Sequence, residues 1–257
     1  MLAEQFASAM VLILMAAEAI SAFLGKLTET AAILAIVVVN AVLGFLALLL
    51  MISHQFHLAA SFILLGLLAD GLDGMVARRL GIGQIGEYLE PIADMITLSV
   101  APLALCYTVY YETIVAELWM HLLVGLVIVF SLACSMIRLS SFSLLKEKQF
   151  FVGLPTSASA LFLVSMSYLT PEIWYLLLGI IVLSLAMVSS IRFPKLDLKI
   201  NLITAVFIVA TILLDSMYYN VAPLLLLAAL LFYIIFGSMY LYVKKRRPVK
   251  ETGDARS

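Results

Sequence analysis

Between Asp70 and Asp94 the chain reads DGLDGMVARRLGIGQIGEYLEPIAD, and the spacing of four acids in it suggests chemistry. Asp70, Asp73, Gly74 and Ala77 follow an i, i+3, i+4, i+7 pattern, which places them on one face of a helix. Arg78 lies one position further round. Gly81 and Gly83 mark a break. Gly86, Glu90 and Asp94 are then spaced by four and share one face of the next helix. Two antiparallel helices joined by so short a loop can bring Asp70, Asp73, Glu90 and Asp94 together. Clustered carboxylates repel one another and are costly at a membrane boundary. A divalent cation removes that cost, and an all-oxygen ligand set suits a hard ion such as Mg²⁺ or Mn²⁺. Gly74 and Ala77 leave a smooth strip where a bulky ligand can approach the helix backbone. Arg78 can pair with a phosphate. The plainer reading is a solvated helix end balanced by Arg78 and Arg79. It accounts well for one Asp and poorly for four acids on two facing stripes.

The elements that carry these residues belong in lipid. Of the 257 residues, 65% are apolar and only 12% are charged, against about half and about a quarter in soluble domains. A core of this size cannot hide that much apolar surface. A membrane-crossing helix needs roughly 20 mostly apolar residues. Candidate spans fall at about 31–52, 57–76, 88–110, 119–139, 155–169, 173–191, 200–217 and 223–243. The expected fold is therefore all-α, a polytopic transmembrane bundle of about eight spans. A further apolar stretch, 6–24, contains Glu18 and has no Lys or Arg before it. It reads as an interfacial or partly inserted helix, the alternative being a ninth span, rather than as a signal peptide. The expected organisation is an N-terminal segment 1–25, a membrane domain 26–243 and a basic tail 244–257.

Charge placement orients the bundle. When the connections are counted alternately, all 15 Lys and Arg residues fall on one side: Lys26, Arg78, Arg79, Arg138, Lys146, Lys148, Arg192, Lys195, Lys199 and the tail from Lys244 to Arg256. The opposite connections carry His54, His57, Glu112, Glu117, Glu172 and Asp215, with an aromatic belt that includes Tyr107, Tyr111, Trp119 and Trp174. By the positive-inside rule the basic side, with the acidic motif, is cytoplasmic. The expected location is thus a cell membrane, crossed several times, with the active site facing the cytoplasm. His54, His57 and His121 lie on the far side and read as loop histidines. Cys106 and Cys134 sit in apolar runs without a CxxC and read as small apolar filler. The tail's basic cluster reads as a stop-transfer anchor that can also attract anionic headgroups.

The motif resembles that of the CDP-alcohol phosphatidyltransferases, whose pattern is D-x-x-D-G-x-x-A-R, a spacer, then G-x-x-x-D-x-x-x-D. The match holds at Asp70, Asp73, Gly74, Ala77, Arg78, Gly86 and Asp94; it departs at Glu90, where the family has Asp, and Pro91 follows. The resemblance implies two Mg²⁺ or Mn²⁺ ions on Asp70, Asp73, Glu90 and Asp94, with Asp94 also the general base. It implies a CDP group held by Gly74, Ala77 and Arg78, with Gly86 completing the pattern. Such a metal pair clamps a diphosphate and polarises the attacked phosphorus, while a carboxylate takes the proton of an incoming hydroxyl.

Three further stretches are similar to the membrane-embedded phosphatidylserine and archaetidylserine synthases. They are IRLSSF from Ile137, FVGLPTSASA from Phe151 and MVSSIRFPK from Met187; Asn40 with Gly44 also resembles an Asn-x-x-x-Gly pattern in the first span. This implies a CDP-activated lipid and L-serine as substrates and a homodimer in the membrane; no nucleic-acid partner is expected. Arg138 is the candidate ligand for the serine carboxylate, the alternative being a snorkelling interface residue. Asn40 reads either as a helix–helix hydrogen bond or as a contact on the nucleotide side. The same chemistry with glycerol phosphate or inositol phosphate as acceptor is the main alternative. A cation path would need polar groups through the depth of the bilayer, and most spans here lack them. A catalytically degenerate relative rests only on Glu90 and Pro91: the longer side chain moves its oxygens by about 1 Å, an error that can cost about 100-fold, and Pro91 removes a helix hydrogen bond.

Overall fold

The structure, a computed structural model, describes residues 29–80, 84–142, 150–194, 198–214 and 217–246. Side chains are described within 34–72, 88–141, 152–191, 202–214 and 221–235, together with Phe193. The apolar stretch 6–24 and the tail beyond Arg246 lie outside the described residues. The described chain is helical almost throughout. In order it forms α1 (Glu29–Ile52), α2 (Phe56–Leu80), α3 (Gln84–Asp94), a π-helical segment (Met95–Val100), α4 (Ala101–Val109), α5 (Tyr111–Val115) and α6 (Leu118–Phe142). Then follow β1 (Phe150–Val152), α7 (Thr156–Leu169), α8 (Ile173–Val188), β2 (Arg192–Pro194), α9 (Leu198–Leu214) and α10 (Met217–Arg246).

Among the described residues, three stretches are long and apolar enough to cross a membrane by length and composition: Leu34–Ile52, Tyr88–Val109 and Leu118–Ser141. Five shorter apolar helices accompany them: Phe56–Leu72, Thr156–Leu169, Ile173–Val188, Leu202–Leu214 and Val221–Ile235. Their outward surfaces are apolar. On α6, Leu118, Leu122, Leu126, Val129 and Met136 form an exposed stripe at helical spacing, with Leu126 70% exposed. Such a stripe is stable against hydrocarbon and costly against water.

Small residues set the inner packing. Ala47 on α1, Ala59 and Ala60 on α2 and Ala101 on α4 are all buried, which lets the helix axes approach closely. α1 packs along both α2 and α3, α6 packs on α8, and α7 lies between α4 and α10. The turns at one end of the bundle are tight. His54 adopts φ 57°, while its N–H and that of Gln55 bond back to the carbonyls of Met51 and Leu50 at 3.0 and 2.9 Å. These are the two bonds of a left-handed helix cap, so His54 closes α1. Thr170, at φ 42°, closes α7 before Pro171 in a similar way.

Two features depart from the uniform helices expected from the sequence. The stretch 88–110 is interrupted: α3 contains Pro91 and runs into the π segment immediately after Asp94. A proline nitrogen has no hydrogen to donate, so the carbonyl of Glu87 loses its helical partner. The second feature is an antiparallel ribbon in which Phe151 faces Phe193 and Val152 faces Arg192. It joins two segments that are 40 residues apart in the sequence and read there as span boundaries.

Candidate functional site

Two layers of residues, one helical turn apart, build the site where α1, α2 and the α3–π junction meet. The upper layer holds the acids. Carboxylate oxygens of Asp70, Glu90 and Asp94 all lie within 4.8 Å of one another. Asp94 is buried, and Asp70 and Glu90 are half-buried. Three hard oxygen donors at that separation fit a Mg²⁺- or Mn²⁺-like ion. No histidine or cysteine joins the cluster among the described residues. Asn40 on α1 completes this layer, fully buried, with its Nδ2 donating to Asp94 Oδ1 at 2.9 Å.

The lower layer makes the upper one possible. Thr97 lies in the π segment, three residues after Asp94, and its Oγ1 donates to the backbone carbonyl of Asn40 at 2.7 Å. Gly44, one turn after Asn40, and Gly66, one turn before Asp70, both face Thr97. A Cβ on Gly44 would stand 2.8 Å from Thr97 Cα, and one on Gly66 would collide with the Thr97 methyl. Thr97 therefore plugs a junction that only glycines leave open. Asn40 Oδ1 has no hydrogen-bond partner among the described residues. A buried acceptor left so costs about 1–3 kcal/mol, and rotating the amide would turn its oxygen toward a carboxylate. Asn40 keeps the orientation that serves Asp94.

Three of the four acids singled out in the sequence are thus brought together. Glu90 belongs to the cluster despite its extra methylene. Asp73, Gly74, Ala77 and Arg78 continue α2 and Gly86 lies in α3, but their side chains fall outside the described residues. Asn40 makes the helix–helix hydrogen bond that was one of its two readings, and it makes it to an acid of the motif. Thr97 was missed. The available signal was a polar residue three positions after Asp94 in an apolar run.

A second constellation adjoins the first. Arg138 is only 6% exposed and turned inward rather than snorkelling; its Nε donates to the carbonyl of Leu154 at 3.1 Å. Leu154 N–H in turn bonds Ala186 O at 3.0 Å, and Gly153 N–H bonds Ile191 O at 2.8 Å. Gly153 has φ +80°, and a Cβ there would collide with the carbonyl of Met187. The three stretches beginning at Ile137, Phe151 and Met187 thereby meet: the first supplies the Arg, the second the loop it holds, and the third the strand paired with that loop. α6, which carries Arg138, packs against the π segment that follows Asp94. At the other end of the bundle the aromatic belt forms contacts of its own. Trp119 stacks on Trp174 with centroids 6.1 Å apart, and the Tyr107 ring meets those of Tyr111 and His121.

The family model for CDP-alcohol phosphatidyltransferase matches residues 26–192. A CDP-diacylglycerol–serine O-phosphatidyltransferase of Bacillus subtilis is 34% identical over 158 residues, 60% of this chain and 85% of that protein. An archaetidylserine synthase of Methanothermobacter thermautotrophicus is 35% identical over 164 residues, covering 62% of this chain and 67% of the relative. A CDP-diacylglycerol–serine O-phosphatidyltransferase of Methanocaldococcus jannaschii is 34% identical over 171 residues, 64% of this chain and 74% of its own length.

Proposed function

The chain belongs to the CDP-alcohol phosphatidyltransferase family, and from that premise we propose that it transfers the phosphatidyl or archaetidyl group of a CDP-activated lipid to L-serine, releasing CMP. The observation that carries this reading is the Asp70–Glu90–Asp94 cluster, with its carboxylate oxygens within 4.8 Å. With Asp73, the fourth acid of the motif, they would hold two Mg²⁺ or Mn²⁺ ions. When bound, these neutralise the diphosphate charge and ease departure of CMP.

The chain's own residues do the rest. Asp94 accepts the proton of the serine hydroxyl. The serine Oγ–phosphorus bond forms, and the bond from that phosphorus to the bridging oxygen breaks. CMP leaves with the bridging oxygen. Gly74 and Ala77 give the nucleotide a smooth helix face, Gly86 keeps the facing helix small, and Arg78 pairs with phosphate. Burying the site against Thr97 and the glycines below it keeps water, the competing nucleophile, from beneath the acids. The buried Arg138 is the candidate for the serine carboxylate, since a guanidinium matches a carboxylate in charge and in planar geometry.

The same reading sets the acids at the cytoplasmic face of an eight-span domain, 26–243, with 1–25 as an interfacial helix and 244–257 as a basic tail. What supports it is the one-sided distribution of Lys and Arg and the eight apolar helical stretches. It also carries a homodimer, checked by the mass of the purified chain in detergent. The deciding experiment supplies purified protein with CDP-lipid, either metal and labelled serine, glycerol phosphate or inositol phosphate. Serine-dependent CMP release and a serine-bearing lipid are expected. Product with another acceptor and none with serine would overturn the assignment.

A further inference from the structure

The geometry points to Asn40 as a positioning residue for Asp94, locked in place by Thr97, so that α1 sets the orientation of a carboxylate carried by the α3–π junction. The inference rests on the reading of Asp94 as a metal ligand and deepens it by naming what aims that ligand. Asn40 Nδ2 holds Asp94 Oδ1 at 2.9 Å, and Thr97 Oγ1 returns to Asn40 O at 2.7 Å. The two bonds run in opposite directions between the same pair of segments. They form a closed strap that fixes both the rotamer of Asp94 and the height of α1 beside it.

Several observations argue that the strap serves the carboxylate rather than helix adhesion alone. Asn40 is completely buried, yet its Oδ1 has no partner among the described residues. The one polar atom of the amide that is paired is the one that reaches the carboxylate. Gly66 allows this oxygen to sit beside α2: a Cβ there would be 3.1 Å from it. The strap also coincides with the π segment. A π turn inserts an extra residue and is common at functional sites. Here it lies between Asp94 and the rest of the span, where the Asp94–Thr97 spacing determines whether both bonds can close. A donor on one oxygen of a metal-binding carboxylate selects the orientation of the other oxygen, and loss of such a partner costs 10–100-fold in metal affinity or activity in known sites.

The test uses the full chain in detergent with Mn²⁺ and no substrate, reading free Mn²⁺ by electron paramagnetic resonance. Asn40→Ala is expected to weaken Mn²⁺ binding by about 10–100-fold. It should lower kcat similarly while the KM for serine stays near that of the parent. Thr97→Val, which keeps the shape and loses the hydroxyl, is expected to weaken binding in the same direction; Thr97→Ser should recover most of that loss. A purely structural role would lower thermal stability in Asn40→Ala and leave Mn²⁺ affinity of the folded protein alone, and that result overturns the inference. If Asn40→Ala does not fold, equal affinities in Thr97→Val and Thr97→Ser overturn it instead. Asp94→Asn separates the two levels. If it binds Mn²⁺ like the parent, the metal reading itself fails; if it loses binding while the Asn40 and Thr97 variants do not, only the positioning role fails.

Discussion

At the scale of single residues, Glu90 and Asp94 divide the work unequally. Asp94 is buried and hydrogen-bonded by Asn40, so its replacement removes both a proposed metal ligand and the proposed base. Asp94→Asn is expected to lower kcat by about 10²–10⁴-fold, measured by CMP release in saturating metal. Glu90 stands where the family pattern has Asp, yet its carboxylate already reaches the cluster. Shortening it withdraws the oxygens by about 1 Å, so Glu90→Asp is expected to reduce activity, by up to about 100-fold, rather than improve it. Full activity in Glu90→Ala would remove Glu90 from the ligand set. Arg138→Lys keeps a charge but loses the planar guanidinium that matches a carboxylate. The expected signature is a rise in the KM for serine of roughly 10-fold or more, one lost charge-assisted bond, with the KM for CDP-lipid little changed.

At the scale of elements, glycines decide which helices can meet. Gly44→Ala would press a Cβ onto Thr97 Oγ1 and Cα. Backbone atoms give way reluctantly, so a loss of about 1–3 kcal/mol in stability is expected, read as a lowered melting temperature in detergent. Gly153→Ala adds a strained positive φ to a collision with the Met187 carbonyl. A cost of about 1–3 kcal/mol is expected there too, with the KM for serine raised as the loop that Arg138 holds is displaced. The helices themselves were legible in the sequence, because uninterrupted apolar runs have few alternatives in lipid. The π segment was not. Its 95–100 stretch, MITLSV, has the same apolar composition as an ordinary span, and one extra residue per turn leaves no mark on hydropathy. The ribbon was hidden for a related reason. Phe151 and Phe193 pair across 42 positions, and a three-residue strand is too short to show an alternating pattern.

At the scale of the whole molecule, orientation and metal linkage can both be measured. Cys106 and Cys134 are buried, so a thiol introduced elsewhere reports with little background. A Cys replacing Lys148 or Lys195 should resist a membrane-impermeant maleimide in intact cells, while one replacing Glu117 or Glu172 should react. The reverse pattern would invert the bundle. An ion that binds only the folded acids also stabilises the chain: at 100 times its dissociation constant the gain is about 2.7 kcal/mol. Mn²⁺ should therefore raise the melting temperature of the parent and leave that of Asp94→Asn nearly unchanged. Chelation should abolish activity, and either Mg²⁺ or Mn²⁺ should restore it.

From sequence alone came the apolar helical stretches, the one-sided charge pattern behind the proposed orientation and the spacing of the acids on two stripes. All of these follow from local composition and helical period, which depend on residues near one another in the chain. Only the tertiary structure decided that Asn40, 54 positions from Asp94, supplies the hydrogen bond that aims it. Only the packed bundle put Thr97 between Gly44 and Gly66, and brought Arg138 to the carbonyl of Leu154. These contacts depend on how closely helices from distant parts of the chain approach. That distance is set by side chains on facing surfaces together, so no single segment carries it. The 70–94 motif supplies the clustered acids, while α1, through Asn40, supplies the hydrogen bond to one of them.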